Sequence, residues 1–150
     1  MASTSELTAH TGFWMRMVSN AVSQEFARKV AGEGVTVAEW SFMRALFDHD
    51  PTPPSVLAER MGMTKGAISK LADRLLAKGL IVRTENSQDK RAHSLSLTAE
   101  GRAKVPVLAA LADENDAAFF GVLKKDEQET LDRILKALAE RRGLKTTPVD

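Results

Sequence analysis

The chain has 150 residues, 43% of them hydrophobic, which is enough to bury one real core and bounds the architecture to a single unit or two tightly fused ones. Its net charge of +1 argues against a protein that coats nucleic acid with its whole surface, and the lack of cysteine excludes disulfides, thiolate metal sites and cysteine redox sensing. No apolar run approaches the roughly 20 residues of a membrane helix, the start MASTSELTAH lacks the features of a signal peptide, and three histidines give a metal little to hold, so the expectation is a cytoplasmic protein without a cofactor.

The first predicted element is a helix, because Phe13, Trp14, Met17, Val18, Ala21, Val22, Phe26 and Val30 recur with helical period on one wide face. It is expected to be mostly buried and to end at Gly32-Glu33-Gly34. A second helix starts at once: Thr36 and Glu39, three apart, are a capping box, in which hydroxyl and carboxylate each satisfy an orphan amide of the first turn. Val37, Trp40, Phe42, Met43, Leu46 and Phe47 then load it so heavily that it reads as a central core element. Pro51, Pro53 and Pro54 stop it and open the next helix, Ser55 to Met61. Gly62 ends that short helix and Thr64 is placed to cap another, which together give a helix-turn-helix.

On the second helix of this pair, Ile68, Leu71, Ala72, Leu75 and Leu76 share one face, and Gly66, Ser69, Lys70, Asp73, Arg74 and Ala77 the other. Small residues let the backbone approach a groove floor, Ser and Lys reach base edges or phosphates, and the positive end of the helix dipole points at the anion. Thr64, Lys65, Gly66, Ser69, Lys70 and Arg74 are therefore the candidate DNA contacts, with Asp73 as the one acid on that face. An ordinary amphipathic surface helix has the same period, so the helix alone does not decide. Charge distribution adds to it: residues 60–91 carry eight Lys/Arg against three Asp/Glu, whereas residues 1–59 carry four against seven and residues 92–150 nine against ten.

Leu80 to Arg83 begins a strand whose partner, Ser94-Leu95-Ser96-Leu97, alternates polar and apolar residues; the polar stretch Thr84 to His93 between them, with Asp89, Lys90 and Arg91, has the form of a wing. Thr98 then caps a long helix carrying Val105, Val107, Leu108, Leu111, Ala112, Ala118, Phe119, Phe120 and Val122, with Pro106 inside it as an expected bend. A last helix, from about 125 to 142, sets Leu131, Ile134, Leu135 and Leu138 on one face and has Gly143 after its end. The terminal helices carry more apolar surface than a lone winged helix covers, which suits either dimer packing or an intramolecular cap.

The run Asp89-Lys90-Arg91-Ala92-His93-Ser94-Leu95-Ser96-Leu97-Thr98, followed by Ala99-Glu100-Gly101, resembles the wing signature of the MarR family of bacterial transcriptional regulators. Leu57 to Lys65 and Ile68 to Leu75 are similar to its helix-turn-helix pattern, and the likeness covers nearly the whole chain. The fold it implies is mainly α with a small β wing: a winged helix-turn-helix DNA-binding lobe over residues 35–98, flanked by a helical dimerisation region over 1–34 and 99–150. It further implies a homodimeric, sequence-specific regulator, most simply a repressor, whose recognition helices enter successive major grooves of a pseudo-palindromic double-stranded operator. By position, Arg91 is the wing-tip arginine that enters the minor groove, where enhanced negative potential attracts it, and Asp89 orients it.

Regulators of that family often bind an anionic aromatic effector between the dimer helices and the DNA lobe; here the implied lining is His10, Trp14, Met17, Trp40, Met43 and Arg44. The alternatives are a ligand-independent regulator and a winged-helix module that binds protein. An enzyme is not expected, since the sequence offers no paired carboxylates in an apolar setting, nucleophile–base pattern, metal-ligand cluster or Gly-rich phosphate loop.

Overall fold

Thr36 and Glu39 close the capping box in both directions: the Glu39 amide donates to Thr36 Oγ1 at 3.1 Å and the Thr36 amide to Glu39 Oε1 at 2.8 Å. The helix they start, α2 (Val37–Phe47), follows α1 (Thr11–Ala31) and precedes the rest of the chain in the order α3 (Pro54–Met61), α4 (Lys65–Ala77), β1 (Ile81–Glu85), β2 (His93–Leu97), α5 (Ala99–Phe120) and α6 (Lys125–Arg141). This is a computed structural model, and it describes residues 3–85, 93–145 and 147–149.

The core is built around α2, which touches α1, α3, α4, α5 and β2. Phe42, Met43 and Leu46 of α2 are fully buried, and Leu57 and Met61 of α3, Ile68 and Leu75 of α4, Leu95 of β2 and Val105 and Leu108 of α5 close around them. Burying each of these side chains contributes about 1.5 to 3 kcal/mol, so the lobe built on α2 is held from several directions at once.

One charge is buried with them. Glu39 has no exposed surface, and Lys78, just past the end of α4, reaches back so that its Nζ donates to Glu39 Oε1 at 2.9 Å and to the Gly34 carbonyl at 2.8 Å. Oε2 lies 2.8 Å from the same ammonium as an ionic contact, without a hydrogen bond of its own. Burial pushes the Glu39 carboxyl up, but the Lys78 ammonium and the Thr36 amide together hold it below the ordinary carboxylate range. The α1–α2 turn, the start of α2 and the end of α4 are thereby tied to one carboxylate.

The strands pair antiparallel from Ile81 opposite Leu97 to Glu85 opposite His93, one to two residues further toward the tip than the sequence pattern marks. The proline-rich connection between α2 and α3 supplies what that pattern does not show, a third partner: the Thr52 amide donates to the Leu95 carbonyl at 3.0 Å and the Leu95 amide to the Thr52 carbonyl at 2.9 Å. Where the sheet meets α5 the backbones nearly touch. A Cβ at Gly101 would lie 2.0 Å from the Leu80 carbonyl oxygen, so no side chain fits there.

One expectation changes. The first helix is not mostly buried: Val30 is its one fully buried residue, while Trp14 and Met17 are each 49% exposed and Val18 42%. Its apolar stripe is real, but α5 and α2 cover only part of it; Asn115 of α5, itself buried, donates to the Val22 carbonyl at 3.1 Å across that contact. Pro106, marked in the sequence as lying inside this helix, is indeed within α5, which runs from Ala99 to Phe120. The last helix, α6, buries none of its residues.

Candidate nucleic-acid interface

Gly62 turns the chain out of α3 in the left-handed region, at φ 64°, which an L side chain adopts only under strain. Two residues on, Thr64 caps α4 by accepting the Ala67 amide on its Oγ1 at 3.1 Å. The remaining first-turn amides of α4 then point outward with the positive end of the helix dipole. Because Ile68, Leu71, Ala72 and Leu75 are buried, the opposite face is forced out, and Thr64, Lys65, Gly66, Ser69, Lys70 and Arg74 are all exposed. Asp73 is exposed too and forms no ion pair among the described residues.

The six residues share the outer side of α4 but open on different hollows at its two ends. Lys65 and Ser69 line a hollow of about 320 Å³ together with Pro53, Pro54, Ser55 and His93, so the start of α3, the first turns of α4 and the tip-side end of β2 open on a single recess. Arg74 instead lines a second hollow of about 760 Å³, between α1 and the start of α2, bounded by Ser19, Ser23, Thr36 and Val37. Arg74 precedes Lys78 by one helical turn, and Lys78 is committed to Glu39; the far end of the basic stripe therefore leans toward the body of the protein. Ser55 and His93 join the recess without having been singled out by sequence pattern. His93 falls in the wing-signature run and Ser55 in the proline-rich opening of α3, but neither pattern marks them as site residues.

Asp89, Lys90 and Arg91 lie outside the described residues. The base of the wing is well defined. Asp50 Oδ2 accepts the Leu97 amide of β2 at 3.1 Å and lies 2.7 Å from the Arg102 guanidinium of α5. Arg102 also donates to the Phe47 carbonyl at 3.2 Å and stacks over the Phe47 ring at 5.1 Å, so the ends of α2, β2 and α5 meet at one acid and one arginine.

The six residues considered for an effector are spread over two helices and three environments. His10 and Met17 line a hollow of about 540 Å³ with Phe13 and Arg16. Trp14 is half exposed beside it, its Nε1 donating to the Thr8 carbonyl at 2.9 Å. Trp40 packs at the edge of the core and Met43 wholly inside it. Arg44 is exposed, but its guanidinium is engaged by Asp48 at 2.8 Å and lies over the Phe47 ring; that hydrogen bond holds the Asp48 carboxyl below its usual range. Among the described residues no three His, Asp or Glu side chains are placed to hold a metal, and no helix is long and apolar enough to cross a membrane.

The comparisons with known proteins agree on this architecture. A family model described as "MarR family" matches residues 33–92, from the end of α1 to the wing. The HTH-type transcriptional repressor MdtR of Bacillus subtilis (strain 168) is 30% identical over 140 residues, covering 93% of this chain and 90% of that protein. Among solved structures, the YusO protein of Bacillus subtilis superposes with a TM-score of 0.74 at 29% identity, over 93% of this chain and 99% of that one. A Staphylococcus aureus MepR–DNA complex gives a TM-score of 0.76 at 22% identity, over 88% and 98%, a likeness of fold.

Proposed function

The chain belongs to the MarR family of DNA-binding transcriptional regulators, and from that premise we propose that it works in the cytoplasm as a homodimeric repressor reading a pseudo-palindromic operator. The observation that carries the assignment is the start of α4: a capped helix whose buried side is complete and whose outer side presents small, hydroxyl and basic residues beside a wing. In this reading Thr64, Lys65, Gly66, Ser69 and Lys70 address the major groove and adjoining phosphates, with Arg74 at the margin, while Asp89, Lys90 and Arg91 serve the wing tip. Residues 35–98 are the DNA-binding lobe. Residues 1–34 and 99–150 bring a second copy to the spacing of one helical turn of DNA; the exposed stripes of α1 and α6 support this division.

Selection of bound duplexes from a random pool tests the proposal directly. A two-fold symmetric site with half-sites about 10 base pairs apart is expected, and binding must weaken steeply with salt. Recovery of no preferred duplex, or of an asymmetric one, overturns it. Arg91→Ala is expected to weaken binding to the selected duplex by roughly 1 to 3 kcal/mol with little change in thermal stability.

We further propose that a small aromatic or phenolic anion releases the operator by binding against His10, Trp14, Met17, Trp40 and Arg44, with Met43 behind them in the core. The hollow beside His10 and Met17 supports this. The engagement of Arg44 by Asp48 favours a ligand-independent regulator instead. Titrating benzoate into the preformed protein–duplex complex separates the two: release at millimolar concentration supports the first, and a complex unmoved at saturating benzoate the second.

A further inference from the structure

We propose that Asp50 and Arg102 are a positioning pair that aims the wing at DNA. This rests on the reading of the wing as a DNA contact. Leu95 and Leu97 are two apart on β2, so their backbone groups leave the strand on the same edge, the one opposite β1. Both are gripped there by a single short segment: Thr52 exchanges two backbone hydrogen bonds with Leu95, and the Asp50 carboxylate takes the Leu97 amide at 3.1 Å.

A strand edge needs only neutral partners to be satisfied, yet one of these is a carboxylate, and its second contact is the Arg102 guanidinium at 2.7 Å. Arg102 is in the first turn of α5 and its other bond goes to the Phe47 carbonyl at the end of α2. The pair thus links the inner strand of the wing to the end of α2 and the start of α5. The Asp50 side chain is 18% exposed and that of Arg102 44%, so water screens the pair chiefly from the arginine side. With the pair intact, β2 holds one angle to α5. Without its charge the strand keeps its hydrogen bonds but loses the anchor that fixes that angle.

The test uses the full chain and the duplex selected from a random pool by the wild-type protein. Affinities are measured for wild type, Asp50→Asn, Arg102→Gln, Arg91→Ala and the Asp50→Asn/Arg91→Ala double variant, with a thermal melt of each. Asp50→Asn is expected to bind about tenfold more weakly, the scale of one lost charge-assisted contact. Arg102→Gln should do the same, and carries the test should Asp50→Asn fail to fold. In the Arg91→Ala background the effect of Asp50→Asn should shrink below about twofold, because a misaimed wing has nothing left to deliver. Wild-type affinity in Asp50→Asn or Arg102→Gln, or an equal tenfold loss in both backgrounds, overturns the proposal in favour of a general structural role. Failure to select any duplex, or an Arg91→Ala variant that binds as wild type, overturns the DNA reading beneath it and is distinguishable on that account.

Discussion

The lobe from α2 to β2 and the helices that flank it solve the same problem differently. In the lobe, apolar side chains of α2, α3, α4 and β2 find cover within the chain, down to no exposed surface at Phe42, Leu46, Leu57 and Leu95. In the flanks the stripes are as regular, yet α6 leaves Ile134, Leu135 and Leu138 between 41 and 47% exposed, and α1 buries one residue. A helical period tells which face seeks cover and not where the cover comes from. The lobe is closed within one chain, with Val30 of α1 and Val105 and Leu108 of α5 completing its core; under the proposed function the remaining stripes of α1 and α6 are covered by a second copy.

The sharpest way to break that contrast is at the seam between the two regions. Gly101→Ala sets a Cβ against a backbone oxygen that no rotamer change can move, and a loss of about 3 kcal/mol or more is expected in urea unfolding; a loss below about 1 kcal/mol would show slack at the seam. Leu46→Ala should cost about 2 to 5 kcal/mol at any protein concentration, whereas Leu135→Ala should cost stability only at concentrations where the dimer forms. Equal, concentration-independent costs at the two sites would erase the difference between the regions.

Lys78→Met tests the ionic tie inside the lobe, with an expected loss of about 1 to 3 kcal/mol near neutral pH from a buried carboxylate left without its partner. The pH dependence has a definite sign. The Glu39 carboxyl is depressed in the folded state, so its contribution is complete above the ordinary value of 4.5 and is lost as pH falls below it toward the lowered folded value. Wild type should lose this stability on acidification, while Lys78→Met should lose less, since protonation relieves its unpaired charge. The smallest effect is expected at Lys70→Ala, within about 0.5 kcal/mol in stability, with the log-log salt slope of DNA binding reduced by roughly one.

Much of the lobe was legible because its signals are local. Thr36 with Glu39, Gly62 and Thr64 each declare a helix end within three residues, and the alternation at 94–97 declares a strand. What escaped notice acts at a distance. Lys78 and Glu39 are 39 residues apart, Asp50 and the Leu97 amide 47, and three prolines around Thr52 concealed a strand partner, because proline marks a break in a helix without saying what the intervening residue pairs with. The recess shared by Lys65, Ser69 and His93 was illegible for the same reason: it exists only once the wing folds back on α4.

The contact at Gly101 has a mechanical meaning. With its first turn pressed against the Leu80 backbone, α5 has a close-packed seat at one end, and its 22 residues span about 33 Å. A tilt of only about 5° at the seat displaces the far end by roughly 3 Å on that length. The residue without a side chain fixes where that length begins.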